Sequence, residues 1–394
     1  MKKIGIITFC NCMNYGAELQ AFALQKKINL LGVDAEVIHV EKETSAMNSP
    51  RFVLNSILKR YKSYGVFKGT LMTYNLFVST LKYRIANKIN KKKIQKKKEI
   101  FEEFWDTFIK HSSEFYTLDE IRDVQQMPYK VIVAGSDQIW NYIQTRYLDV
   151  FFLKFANKFG ARKVAYAASF SVESIPTDMY SIYKPLIENM DAISVREDSA
   201  LKIINDCSDA NAIQVLDPTL LFNAKEWVDM VANANYRQDL KKFVLIYTLS
   251  GSKYIYRLAK RIAKELDVNV VNIKNGYLEV TGDDGIIHLY DVGPREFISL
   301  YNRAVYVITD SFHGTAFSLN FNIPFTTLLN PMSSLNGRAL SLLRLTNAMD
   351  RMIYDDGTNA FPNSLVMDFS SINKNIECWK MKSLNYIKTE ILNA

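Results

Sequence analysis

Lys3-Ile-Gly-Ile-Ile-Thr-Phe9, then Asn11-Cys-Met-Asn-Tyr-Gly16, then Ala17-Glu-Leu-Gln-Ala-Phe-Ala-Leu-Gln-Lys-Lys-Ile-Asn-Leu-Leu31 decide the fold of this chain. The first run is short and apolar without alternation, as in a strand buried on both faces. A polar loop follows it. Leu19, Phe22, Ala23 and Leu30 then recur at helical spacing, and Gly32 ends the helix. Ala35–Val40 is a second apolar run, so the unit is strand, helix, strand, the repeat of a parallel α/β sheet.

Working outward, the same alternation predicts strands at Lys130–Ala134, Lys163–Ala167, Ala192–Val195 and Ala212–Val215. A second set starts at Phe243 and continues at Val268–Ile273, Ile286–Leu289, Ala304–Thr309 and near Phe325–Leu328. The break falls between Asp217-Pro-Thr219 and Lys241. The expected architecture is therefore two doubly wound, Rossmann-like α/β domains facing a cleft, residues 1–225 and 240–370. A helical insertion is expected at about 50–112. The segment Ser371–Ile391 has helical spacing and is expected to return onto the first domain, within a terminal piece 371–394.

Composition narrows the function. The chain has 394 residues and a net charge of +8, from 49 Lys+Arg against 41 Asp+Glu. Lys82–Lys98 alone holds nine basic residues and no acid. The rest is near neutral, so a basic nucleic-acid-binding face is not expected. No run of 18 apolar residues suggests a membrane span. The Met1–Cys10 start reads as a strand rather than a leader, so a cytoplasmic location is expected. Four scattered cysteines (Cys10, Cys12, Cys207, Cys378) form no disulfide framework, and four histidines form no ligand pair, so no metal is expected.

In open α/β sheets ligands bind beyond the carboxyl ends of the strands. Four polar clusters fall there. After the first strand, Asn14, Tyr15 and Gly16 precede a helix start, where Gly16 permits close ligand approach. Glu18 is either a first-turn acid complementing the helix dipole or a general base. In Gly135-Ser-Asp137, the aspartate is a helix cap or an acid facing the cleft, and Trp140 is a sugar platform or core. Arg196 leaves a strand tip as an anion clamp or as the partner of Glu197 or Asp198. Thr309-Asp-Ser-Phe-His-Gly-Thr315 joins an apolar strand to a helix start. Ser311, His313, Gly314 and Thr315 there offer hydroxyls, free amides and a proton donor to an anion. Asn336-Gly-Arg338 adds a second arginine. No GxGxxG or Walker pattern exists, so NAD(P) and nucleoside triphosphates find no support.

These residues resemble the polysaccharide pyruvyl transferase family. The matching segments are Ile4-Gly-Ile-Ile-Thr-Phe9 with Asn14-Tyr-Gly-Ala17 and Leu19-Gln-Ala-Phe-Ala-Leu24; Val133-Ala-Gly-Ser-Asp-Gln-Ile-Trp-Asn141; Ser194-Val-Arg-Glu197; Leu216-Asp-Pro-Thr219; Ile308-Thr-Asp-Ser-Phe-His-Gly-Thr315; and Asn336-Gly-Arg338. They stand in family order over residues 3–345. The resemblance implies a GT-B-like pair of Rossmann-type domains. It also implies transfer of pyruvate from phosphoenolpyruvate to two hydroxyls of a sugar, leaving a cyclic ketal. Arg196, His313 and Arg338 would be donor-site residues.

On chemical grounds His313 is then the general acid and Glu18 or Asp137 the base. Asn14, Tyr15, Gly16 and Trp140 would meet the acceptor, a free or lipid-linked glycan. No cofactor is expected beyond phosphoenolpyruvate as co-substrate. The rivals are a GT-B glycosyltransferase using a nucleotide sugar and a non-catalytic glycan- or anion-binding module. The run Lys82–Lys98 is a solvated helix flank or a contact with the anionic inner face of the cytoplasmic membrane. The apolar positions Phe52, Leu54, Leu58, Phe67, Leu71 and Phe77 would assist the second role.

Overall fold

The computed structural model describes residues 3–41, 90–274, 285–333, 336–358 and 360–393. Most of the expected helical insertion (42–89), with Lys82, Arg84, Lys88 and the six apolar positions just named, lies outside the described residues.

Two parallel sheets carry the fold. The first has seven strands in the order β3-β2-β1-β4-β5-β6-β7. They are β1 (Lys3–Ile7), β2 (Asp34–Val40), β3 (His111–Tyr116), β4 (Val131–Ala134), β5 (Arg162–Ala168), β6 (Ala192–Val195) and β7 (Ala212–Gln214). The second has six in the order β10-β9-β8-β11-β12-β13. They are β8 (Phe243–Tyr247), β9 (Asn269–Ile273), β10 (Ile286–Leu289), β11 (Ala304–Thr309), β12 (Phe325–Leu329) and β13 (Met352–Tyr354). Strand order reverses beside β1 and beside β8, which places ligand crevices at their carboxyl ends.

Two edge strands depart from expectation. His111–Tyr116, which begins where the expected helical insertion ends, is a strand with three of its six residues exposed. Met352–Tyr354 has only three residues. Both pair on one side only, so neither needs the apolar run by which buried strands announce themselves.

The helix Tyr15–Leu30 is buried over most of its circumference, as its scattered apolar residues require. It lies between the halves. One apolar cluster runs under both sheets, from Ile4, Tyr15, Phe22 and Trp227 to Phe297, Phe317 and Leu342. Tyr15 stacks on Phe297 at 4.8 Å, and Trp227 meets Phe317 edge-on at 5.4 Å. The outer face of each sheet has its own core.

The helix Ser370–Tyr386, with its continuation Ile387–Leu392, packs on the first sheet. Tyr386 donates to the Ala165 carbonyl at 3.0 Å, Leu216 N donates to Ser383 Oγ at 2.9 Å, and Arg162 pairs with Glu390 at 2.6 Å.

The described part of the lysine run opens the helix Lys91–Phe108. It is not uniformly solvated. Lys97 is buried, donates to the Lys274 carbonyl at 2.9 Å and lies 4.9 Å from the Tyr15 ring, and burial pulls its amine down to about 7. Lys96 pairs with Asp291 at 3.2 Å and Lys93 covers the Tyr290 ring. Lys91, Lys92, Lys93, Lys96 and Lys98 remain exposed. Among the described residues, no helix is long and apolar enough to cross a membrane.

Candidate functional site

The carboxyl ends of both sheets face one cleft of about 490 Å³. From the first sheet come Asn14, Asp137 and Gln138; from the second come Tyr247, Ser250, Asp310, Phe312, His313 and, one helix further, Arg338.

Local sequence explains how each is held. Asn14 caps the helix Tyr15–Leu30, its Oδ1 accepting from Gly16 N and Ala17 N. Ser311 caps the helix Phe312–Asn320, accepting from Gly314 N. Asp310 is tied to the β8 loop by Thr248 Oγ1 at 2.7 Å and by the amides of Leu249 and Ser250. Asp137 adopts φ +72°, tolerable for aspartate, so the chain turns sharply out of β4.

At the floor lies a buried charge cluster. Arg196 Nη1 donates to Asp217 Oδ2 at 2.7 Å, Nη2 lies 3.5 Å from Asp137 Oδ1, and Nε lies 3.9 Å from Glu197 Oε2. The Phe312 ring covers its guanidinium at 4.2 Å. Asp217 Oδ2 is also 3.7 Å from His313 Nε2, while its Oδ1 accepts from Thr219 N and Oγ1. Glu197 Oε1 accepts from Ser169 Oγ and from the amides of Phe170 and Ser171.

Burial works against the charge on Arg196, and three carboxylates outweigh it. Arg338 is worse placed. Burial and the neighbouring Arg196 pull it down to about 10, with Asp137, Glu197 and Asp217 only partly offsetting them. Glu197 is pushed up by burial, against the pull of Arg196 and its hydrogen bonds.

Several atoms here are buried without a hydrogen-bond partner: Arg196 Nε and Nη2, Arg338 Nε, His313 Nε2, Asp137 Oδ1 and Glu197 Oε2. All but Arg338 Nε face an ionisable partner within the cluster, at 3.5 to 3.9 Å, just beyond hydrogen-bond length. Their concentration at one floor is the mark of a place built for a polar ligand.

His313 comes from the second half and rests on the first. A Cβ built on Gly16 would lie 1.9 Å from His313 Nδ1, so only glycine admits the ring. The imidazole thus sits with Nδ1 over Gly16 and Nε2 toward Asp217.

The structure therefore brings together Asn14, Gly16, Asp137, Arg196, Ser311, His313 and Arg338. Arg196 is one layer in, caged by carboxylates, rather than an open clamp. Other expectations need correction. Tyr15 is fully buried, donates to the Val292 carbonyl and belongs to the interdomain core, so it cannot meet an acceptor. Glu18 is fully buried and its Oε1 accepts from Cys12 N at 2.7 Å; it shapes the loop and is no base for the cleft. Trp140 is fully buried, stacked on Phe152 at 4.3 Å with Nε1 donating to the Phe151 carbonyl, so it is core and not a sugar platform. The Gly314 amide is spent on Ser311, and Thr315 Oγ1 on the Ser311 carbonyl and Thr327. Neither offers a free group to an anion.

Two members of the cluster, Asp217 and Glu197, were not expected in the site. Asp217 follows the apolar pair Val215-Leu216, a strand-end signal like the others, but read as a domain boundary. Among the described residues no group of three or more His, Cys, Asp or Glu could hold a metal ion, and the four cysteines are free.

Two parallel α/β sheets meeting over a single cleft define a two-domain protein of the GT-B type. The sequence profile of the polysaccharide pyruvyl transferase family matches residues 14–331, and the chain belongs to that family. Among solved structures, the S. aureus MnaA–UDP co-structure is similar with a TM-score of 0.52 at 13% identity, over 98% of this chain and 96% of that one. A UDP-N-acetylglucosamine 2-epimerase is similar with a TM-score of 0.52 at 10% identity, over 98% and 95%. At such identities the likeness is one of fold. No protein of curated function matches the chain.

Proposed function

We propose that the chain transfers pyruvyl from phosphoenolpyruvate to two hydroxyls of a glycan, forming a cyclic ketal and releasing phosphate. Membership of the family supports pyruvyl transfer. The observation that carries the donor is Arg338, half-buried on the same cleft wall as His313 and with its Nε lacking a hydrogen-bond partner. Phosphoenolpyruvate concentrates a carboxylate and a phosphate on a small frame, and guanidinium groups meet both with charge-assisted hydrogen bonds.

In this scheme Arg338 contacts the donor, and Arg196, behind Phe312, holds the carboxylates of Asp137, Glu197 and Asp217 in place. His313 gives a proton to the methylene carbon, and C2 becomes an oxocarbenium-like electrophile. One sugar hydroxyl adds to C2, losing its proton to Asp137. The C2–O bond to phosphate breaks, and the second hydroxyl closes the ring. Of the two hydroxyl protons, one replaces that given to carbon and the other leaves with hydrogen phosphate.

The test is to incubate the chain with phosphoenolpyruvate and free or lipid-linked glycans. Phosphate release with a glycan gaining the mass of a pyruvyl ketal is expected. Release of nucleoside diphosphate from a nucleotide sugar would favour a glycosyltransferase. Ligand binding without either product would favour a non-catalytic module.

The proposal extends to location: the exposed lysines 91, 92 and 93 support contact with the anionic inner face of the cytoplasmic membrane, where each lysine near the surface contributes about 1 kcal/mol. Equal sedimentation with anionic and neutral vesicles at low salt would refute that placement.

A further inference from the structure

A second cavity, of about 190 Å³, opens beside the donor cleft and shares with it the walls Asn14, Asp137 and Gln138. Its chemistry is different. The cleft sets Arg338 and His313 beside the carboxylates Asp137, Asp310 and Asp355. Among the described residues, the side cavity is lined by no Lys, Arg or His, and its charged residues are the carboxylates Glu41 and Asp137. A phosphate or carboxylate finds no cationic partner among them. The cavity's other polar groups include the side-chain amides of Gln138 and Gln144, with an apolar floor in which Phe9 and Phe151 meet edge to face at 5.0 Å. Amides both donate to and accept from hydroxyls, and an aromatic floor suits the C–H face of a pyranose ring.

We propose that this cavity is a subsite for a neutral sugar ring adjoining the ring that receives the pyruvyl group. The acceptor is then at least a disaccharide, with Asp137 on the wall between its reacting ring and its recognised neighbour. This rests on the pyruvyl-transfer reading above and adds the length and charge of the acceptor. It also gives each substrate its own partners: the trianionic donor meets Arg338 and His313, and the uncharged glycan meets the amides.

The test compares neutral monosaccharides (glucose, galactose, N-acetylglucosamine) with the disaccharides built from them, using wild type, Gln144→Leu, and Ile182→Ser as an exposed control outside both cavities. For the preferred sugar, the disaccharide is expected to have the lower KM. Gln144→Leu should raise the disaccharide KM about 5- to 10-fold, the loss expected of one hydrogen-bonded amide, while Ile182→Ser changes nothing. Equal KM values for one and two rings, unmoved by Gln144→Leu, overturn the subsite and leave the reaction standing. If no sugar is pyruvylated, the reaction fails instead, and saturation-transfer NMR on the same sugars decides the subsite. A second-ring signal lost in Gln144→Leu upholds it, and absence of that signal overturns it.

Discussion

Gly16 of the first half is the seat of His313 of the second: the imidazole Nδ1 occupies the place where a side chain on Gly16 would stand, 1.9 Å from the would-be Cβ. The contact ties the position of the proposed acid to the approach of the two sheets. Gly16→Ala is expected to displace the ring, at a cost of about 1–3 kcal/mol for overpacking, and to cut phosphate release far more than that loss of stability explains. A Gly16→Ala protein with wild-type turnover and melting temperature would break the link.

Arg338 is a cation held against burial and against Arg196, so an anion beside it should be welcome. Arg338→Ala is expected to raise the KM for phosphoenolpyruvate about 10- to 100-fold, the equivalent of ~1.5–3 kcal/mol for a hydrogen bond to a charged group. Inorganic phosphate should raise the melting temperature of wild type and leave that of the variant unmoved. Matching donor kinetics in the two proteins would remove Arg338 from the site.

For Asp217, burial alone would raise the carboxyl, but His313 and Arg196 hold it well below the usual carboxylate range. A carboxylate depressed in the folded state stabilises it fully above the unfolded value of about 4, and that stabilisation fades as pH falls below it. Asp217→Asn should therefore lose about 3–5 kcal/mol at pH 7, the cost of breaking a buried ion pair. Denaturant melts of both proteins should show a gap at neutral pH that narrows once pH falls below the unfolded carboxyl value of about 4. A gap that opens toward acid has the wrong sign for this ion pair.

Trp140 separates core from ligand contact. Trp140→Ala should destabilise the fold by about 3–5 kcal/mol, as for other buried aromatics. The folded fraction should keep its acceptor KM. Loss of acceptor affinity without loss of stability, measured by calorimetry beside kinetics, would restore the tryptophan to the site.

Much of this arrangement was legible in the residues. Buried parallel strands must be short apolar runs, so β1, β4, β6, β8 and β11 stand out, and the polar residues at their ends mark the cleft. What sequence could not convey is the direction of side chains after a turn. Glu18, Trp140 and Thr315 sit within a few residues of true cleft positions, yet backbone geometry sends each inward to a hydrogen-bond or ring partner. Asp217 was hidden for the opposite reason. It lies where the chain leaves the first half, and only the closing of the second half over it makes a boundary residue part of a site. The edge strand His111–Tyr116 carries too little apolar sequence to be told from a loop.

The apolar cluster that runs under both sheets has a consequence for how such an enzyme can be altered. Tyr15 and Trp227 find their partners in Phe297 and Phe317, so neither half has a finished surface of its own. A fragment ending after the first sheet would expose a slab of aromatic side chains and aggregate. A chimera that borrows its donor half from another enzyme would have to import that enzyme's seam as well. New acceptor specificities are therefore best sought by changing loops at the cleft rim, where Gln138 and Gln144 stand, while the halves stay together.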